Sequence, residues 1–266
     1  MKIVSVLRTG PEYQAEHAQL LHAQLPDDAV CMTNLPDIKG VTTVPLHDSD
    51  LIGWWAKMEL FNPDGPLGPH DLFYLDIDTV ILGDIRPIIE QAQHLREMVM
   101  LSDFFNPQHP ASGVMYIPWR MKRRVWDAWN RNPYWHMVKH RPAGRVGDQG
   151  FIADNVPHIR RWDEICPRKI VSYKKHIAAP GQLGYIEGKS IGNGEVPPEA
   201  VIVCYHGNPR PWNLEQLCKP SSSDTKAGSN GSGNSKQQSQ VPQQLSIAAG
   251  KGRSNPTSKR SKSRSR

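Results

Sequence analysis

The chain reads as an α/β protein: a mostly parallel, Rossmann-like sheet flanked by helices, followed by a polar tail. Three observations predict this. Short apolar runs alternate with segments of helical spacing; the runs end in polar, Gly- and Pro-rich turns; and the composition changes abruptly near Pro220. Strands alternating with helices imply a sheet covered on both faces. The 266 residues are enough for one large domain, placed at residues 1–219, with a disordered tail at 220–266.

The elements follow in order. Lys2 to Leu7 is a short apolar run stopped by Arg8-Thr9-Gly10-Pro11, a strand and then a turn. Tyr13 to Leu25 has helical spacing and ends at Pro26-Asp27-Asp28. Ala29 to Met32 and Val41 to Leu46 read as strands. Trp54, Met58 and Phe61 fall on one face of a helix that starts after Asp50. Asp71 to Leu75 is apolar enough for a buried central strand. Further strands are expected at Met98 to Leu101, Val114 to Ile117 and Val201 to Tyr205, with helices at Met121 to Asn130 and around Gln149 to Ala153. No internal repeat is evident.

The formal charge of +6 belongs to the tail: residues 221–266 hold nine Lys and Arg against Asp224, which leaves the preceding 220 residues at −2. The basicity therefore says nothing about the folded part. The tail cannot bury enough apolar surface to offset its chain entropy. Its alternating Ser/basic end, Ser254 to Arg266, suits an anionic polymer or a membrane surface, but no aromatics are interleaved for base stacking. Cys31, Cys166, Cys204 and Cys218 show no paired spacing and read as reduced thiols. The apolar stretch before Arg8 is too short for a signal peptide, and no run approaches the ~18 residues needed to span a bilayer. A cytoplasmic, at most peripherally attached, protein is expected.

Three segments could carry chemistry. In Leu75-Asp76-Ile77-Asp78-Thr79, two carboxylates at i and i+2 point the same way just past a buried strand. That is where open α/β sheets bind ligands, and two hard oxygen donors there suit Mg²⁺ or Mn²⁺ carrying phosphates. In Cys204-Tyr205-His206-Gly207-Asn208-Pro209-Arg210-Pro211-Trp212, a second strand ends in an imidazole. Gly207 then allows close backbone approach, and Arg210 can clamp phosphate. An imidazole beside two carboxylates shifts the metal toward Mn²⁺. Gly147-Asp148-Gln149-Gly150 opens a helix, where Asp148 could equally be an N-cap.

Together these segments resemble the family 8 glycosyltransferases of the GT-A fold, the group containing glycogenin and the bacterial lipopolysaccharide galactosyltransferases. The resemblance covers roughly residues 1–217. It implies Asp76, Asp78 and His206 as metal ligands, and Asp148 and Gln149 beside the transferred sugar. It implies donor contacts from Arg8, Thr9, Tyr13, Lys57, Asp76, Ile77, Gly207 and Arg210. The donor would be a nucleotide diphosphate sugar, a UDP-sugar first, transferred with retention to a carbohydrate, lipid-linked or protein acceptor. The sequence departs from the family in its shortened H-G-N-P-R-P-W segment, in Arg210 where the family usually has Lys, and in Ala111-Ser112-Gly113, where an amide is usual.

Among the aromatics, Trp54, Trp55 and Phe61 read as core in preference to a sugar platform. Trp119, Trp126, Trp129, Tyr134 and Trp135 read mostly as packing, and Asp103 as a loop carboxylate or an acceptor contact. Two rival functions are open to the same sequence. A haloacid-dehalogenase-type phosphatase would use Asp76 as nucleophile and needs a later acidic pair such as Asp148 and Asp154. A binding protein would act through the basic tail.

Overall fold

The computed structural model describes residues 1–140 and 147–214; the predicted tail lies outside them. In chain order the strands are β1 (Lys2–Leu7), β2 (Val30–Thr33), β3 (Thr42–Pro45), β4 (Leu72–Leu75), β5 (Thr79–Ile81), β6 (Met98–Ser102), β7 (Pro110–Ile117), β8 (Ile159–Arg161), β9 (Ile170–Ser172) and β10 (Ile202–Cys204). Seven of them form one sheet in the order β3-β2-β1-β4-β7-β6-β8. All its pairs are parallel except β7, which runs antiparallel to both β4 and β6.

The central strand explains its own sequence. All four residues of β4 are buried, because both faces of the sheet are covered. Phe73 and Leu75 join one apolar layer with Leu21 of α1 (Ala15–His22), Ile88 and Ile89 of α2 (Arg86–Leu95) and Trp162 of α6 (Trp162–Ile165). Leu72 and Tyr74 face the other layer. It is built from the helix Gly53–Phe61, from Val125 and Trp129 of α3 (Trp119–Asn130), and from Phe151 and Ile152 of α5 (Gly147–Asn155). A short α4 (Pro133–Lys139) follows α3 and has no buried residue. Burial of each large side chain stabilises the fold by about 1.5–3 kcal/mol.

One expected helix differs in kind. Gly53–Phe61 is a 3₁₀ helix, with three residues per turn, so side chains at i and i+3 eclipse. The buried row is therefore Trp55, Met58 and Phe61. Trp54 is moved off the core and is 53% exposed, which corrects its reading as a core residue.

A second sheet, β5-β10-β9, supplies the other half of the site. β10 runs antiparallel to β5, with Cys204 opposite Thr79, and the Tyr205 amide donates to the Asp78 carbonyl at 3.2 Å. That register brings the residues after β10 beside the carboxylates after β4. Cys31, Cys166 and Cys204 are buried, free thiols; Cys218 lies outside the described residues. Among the described residues no helix is long and apolar enough to cross a membrane.

The core also holds a proton-sensitive pair. The His22 ring lies 2.8 Å from the Ser5 hydroxyl, and burial pushes its pKa from 6.5 down to about 4. The unfolded chain takes a proton here below pH ~6.5 that the folded chain refuses until pH ~4, so stability is lost as pH falls through that window. The full loss is about 3 kcal/mol. Urea unfolding of His22→Gln should show a shallower decline between pH 6.5 and 4 than the parent; parallel slopes would refute the assignment.

Candidate active site

The site is assembled where β4 ends. The Asp76 amide donates to the Gly113 carbonyl at 2.8 Å, and the Thr79 amide closes back on the Asp76 carbonyl at 3.1 Å. A Cβ on Gly113 would stand 3.4 Å from Asp76 Oδ2. Asp76 Oδ1 lies 2.8 Å from Lys57 Nζ and accepts a hydrogen bond from the Tyr74 hydroxyl. Tyr74 sits two residues before Asp76, on the same side of an extended chain, and this alternation was the available signal for a residue the sequence reading passed over.

Lys57 is the hub. From the 3₁₀ helix its ammonium reaches Asp76, stands 3.6 Å from Asp148 Oδ2, and donates to Ser112 Oγ at 3.2 Å. Burial works against this charge, but the Asp148 and Asp76 carboxylates outweigh it and hold the lysine above its ordinary pKa. Asp148 is 4% exposed, with its carboxyl pushed up by burial and drawn back by Lys57 and Ser112. Ser112, read only as a departure from the family pattern, thus contacts the hub directly. Gln149 follows Asp148 and is half-buried.

Asp78 has its own cation. Its Oδ2 accepts a hydrogen bond from the Arg210 guanidinium, which also lies 3.2 Å from Glu12 and 4.9 Å over the Tyr13 ring. Tyr13 meets Trp212 edge-on at 5.9 Å, and Trp212 stacks on His17 at 3.8 Å. This aromatic group ties the segment after β10 to the turn before α1. Burial and the neighbouring Asp76 charge push the Asp78 carboxyl up to about 7, against the pull of Arg210 and Lys57. Three carboxylates, Asp76, Asp78 and Asp148, thus face two cations, Lys57 and Arg210.

The remaining predicted residues are distributed around this centre. His206 stacks on Phe104 at 5.4 Å and sits 2.7 Å from Ser172 Oγ, and burial lowers its pKa to about 4, so the imidazole is neutral. Gly207 has φ +74°, and a Cβ there would meet Lys174 Nζ at 3.3 Å. Thr9 exchanges two hydrogen bonds with Asn34, at 2.9 and 2.8 Å, while Arg8 donates to the Asp48 carbonyl and stands 3.9 Å from Glu59. Both are engaged with the loops after β2 and β3. The Ile77 side chain packs in the apolar core. Asp154 pairs with Lys139 and His140 while Asp148 pairs with Lys57, so the two are not joined as the acidic pair a phosphatase would need.

Part of this donor set suits a divalent cation. Two carboxylates at a strand end fit Mn²⁺ or Mg²⁺, and a neutral imidazole is a competent ligand. However, among the described residues no three His, Cys, Asp or Glu side chains are grouped as a metal site. The carboxylate pair fits the ion, and His206 stands apart on Ser172.

No family model matches the chain, and no curated protein sequence does. Solved structures do. WbbM, a bifunctional glycosyltransferase in its apo form, superposes with a TM-score of 0.52 at 11% identity, over 81% of this chain and 47% of its own. An active-site mutant of LgtC gives 0.49 at 13% identity, over 84% and 92%. Apo GlyE of Streptococcus pneumoniae gives 0.47 at 15% identity, over 80% and 56%. The chain thus spans about half the length of WbbM and of GlyE. At such identity the likeness to WbbM carries architecture and nothing finer: this chain has the GT-A glycosyltransferase fold.

Proposed function

We propose that the chain is a glycosyltransferase that moves a hexose from a nucleotide diphosphate sugar, a UDP-sugar first, to an acceptor hydroxyl. One observation supports this most strongly. The Asp76 and Asp78 carboxylates stand at the carboxyl end of a buried strand, each with a separate cation, Lys57 and Arg210, and Asp148 shares Lys57. Arg210 and Lys57 are then the groups that offset charge developing on the leaving diphosphate. Mn²⁺ or Mg²⁺ held by Asp76 and Asp78 would supply further positive charge there when bound.

Transfer with retention is part of the proposal. Asp148 is a poor candidate for a covalent nucleophile, because its charge is buried and committed to Lys57. Gln149 has an uncharged amide and is weaker still. A same-face substitution remains, in which the departing diphosphate accepts the proton of the incoming hydroxyl while Gln149 and Asp148 position the sugar.

The deciding experiment is a thermal-shift panel of nucleotide sugars with Mn²⁺, followed by NMR of the transferred sugar's anomeric proton. A donor at a hundredfold excess over its dissociation constant should add about 2.7 kcal/mol of stability. Stabilisation by uridine nucleotides and a retained anomer are expected. A shift by non-uridine nucleotides alone would sink the donor assignment, and an inverted product the role of Gln149.

A further inference from the structure

Trp54 is the residue the sequence places in the core and the structure does not. Its eclipsed row on the 3₁₀ helix contains Lys57, the hub of the acid cluster. Its indole lies against the peptide that leads into Asp148. A Cβ built on Gly147 would come 2.7 Å from Trp54 Nε1 and 2.9 Å from Cδ1, and Gly147 has φ +65°. Glycine is required here twice over, by the backbone angle and by the approach of the ring. Despite this contact, Trp54 remains 53% exposed, whereas Trp55 beside it is 7% exposed and stacked on Trp129 at 5.2 Å. Core packing accounts for Trp55 and leaves most of the Trp54 indole unused.

A second observation points to a ligand. Among the described residues, the buried Asp148 Oδ2 has no hydrogen-bond partner. Lys57 Nζ stands 3.6 Å away, an ion pair beyond hydrogen-bond reach. Such an acceptor is costly unless something donates to it. A half-exposed indole ring packed on the residue before Asp148, together with that unsatisfied carboxylate oxygen, matches one ligand chemistry well. A pyranose ring presents a face of C–H groups, which suits the negative face of an aromatic ring, and hydroxyl donors around its rim.

We propose that Trp54 is the stacking platform for a pyranose at this site, with Asp148 Oδ2 accepting from one of its hydroxyls. The inference rests on the glycosyl-transfer reading and deepens it. The ring belongs either to the donor hexose or to the acceptor, and the same variants separate the two.

The experiment is calorimetric titration of the full chain and its Trp54→Ala and Trp54→Phe variants, with Mn²⁺ present. The probes are UDP, UDP-glucose and UDP-galactose, then methyl glucoside and methyl galactoside in the presence of UDP. UDP should bind all three proteins alike, because it carries no pyranose. Trp54→Ala should weaken either the UDP-hexose or the methyl glycoside by about tenfold, and Trp54→Phe should recover most of it. Loss on UDP-hexose assigns the platform to the donor, and loss on the glycoside to the acceptor. Equal affinity of parent and Trp54→Ala for every sugar probe overturns the proposal alone. Failure of the parent chain to bind any probe overturns it together with the glycosyl-transfer reading.

Discussion

Asp78→Ala is expected to lower sugar transfer, or donor hydrolysis in its place, by about a hundredfold or more. That is the size seen when one preorganised electrostatic stabiliser is removed from a reacting centre. The carboxylate is 5% exposed and bonded to Arg210. Its loss therefore does two things: it takes away half of the carboxylate pair and frees a guanidinium that it had aimed. The parent should also lose activity in EDTA and regain it with Mn²⁺. The Ala variant should show little further loss in EDTA, since both treatments remove the same ion. A stability measurement separates this from unfolding, because a catalytic effect persists at temperatures where the variant is fully folded. Turnover untouched by both EDTA and Asp78→Ala would end the metal-site reading.

The parts of this site legible in the sequence are those written into a single segment. Asp76 and Asp78 follow an apolar strand, and alternation alone puts both carboxylates on one side. His206 and Arg210 likewise follow the apolar run that becomes β10. Strand direction was not legible: residues 114–117 of β7 are as apolar as β4 and β6, to which they run antiparallel, and a strand buried on both faces carries no mark of its direction in the sheet. The three-stranded sheet was missed because β5 and β9 have three residues each, too short for periodicity. α2 did carry a signal that was overlooked, a Pro in its first turn and Ile88, Ile89 and Ala92 buried on one side. α4 carried little, having no buried residue.

Trp54 shows how a helix type can hide a functional residue. At 3.6 residues per turn, Trp54, Met58 and Phe61 share a face and read as core. At three per turn the rows become Trp55-Met58-Phe61 and Trp54-Lys57-Leu60, and only the first is wholly core-facing from its first residue. Trp54-Met58-Phe61 suits the first period and Trp55-Met58-Phe61 the second, so the sequence satisfies both. The choice is made by tertiary contacts, above all by the ion pairs that Lys57 makes with residues 19 and 91 positions later, Asp76 and Asp148.

Lys57→Met is expected to be the most destabilising substitution in the site. Methionine matches the length of the stem and removes only the charge, so packing is preserved and the effect is electrostatic. Among the described residues, Asp148, 5% exposed at its side chain, then loses its cation, and Asp76 keeps the Tyr74 hydroxyl and its contact with solvent. Removing one partner of a buried ion pair costs about 3–5 kcal/mol. At roughly 2–4 °C per kcal/mol for a domain of this size, Tm should fall by about 6–20 °C. The pH dependence has a definite sign. With Lys57 gone, the Asp148 carboxyl is pushed further above its ordinary value, because the largest opposing influence on its burial is removed. A carboxyl whose pKa is raised on folding binds its proton more readily in the folded chain, so the deficit should shrink as pH falls from 7 toward 5. Adding Asp148→Asn to Lys57→Met should restore much of the loss, since a neutral amide no longer needs a cation. The loss in the double variant less the summed losses of Lys57→Met and Asp148→Asn alone is the coupling energy of a double-mutant cycle. Urea unfolding of the four proteins at pH 7 and pH 5 tests both statements. A Lys57→Met variant within about 1 kcal/mol of the parent at both pH values, below the usual cost of an unpaired buried charge, would mean that this ammonium does not hold the acid cluster together.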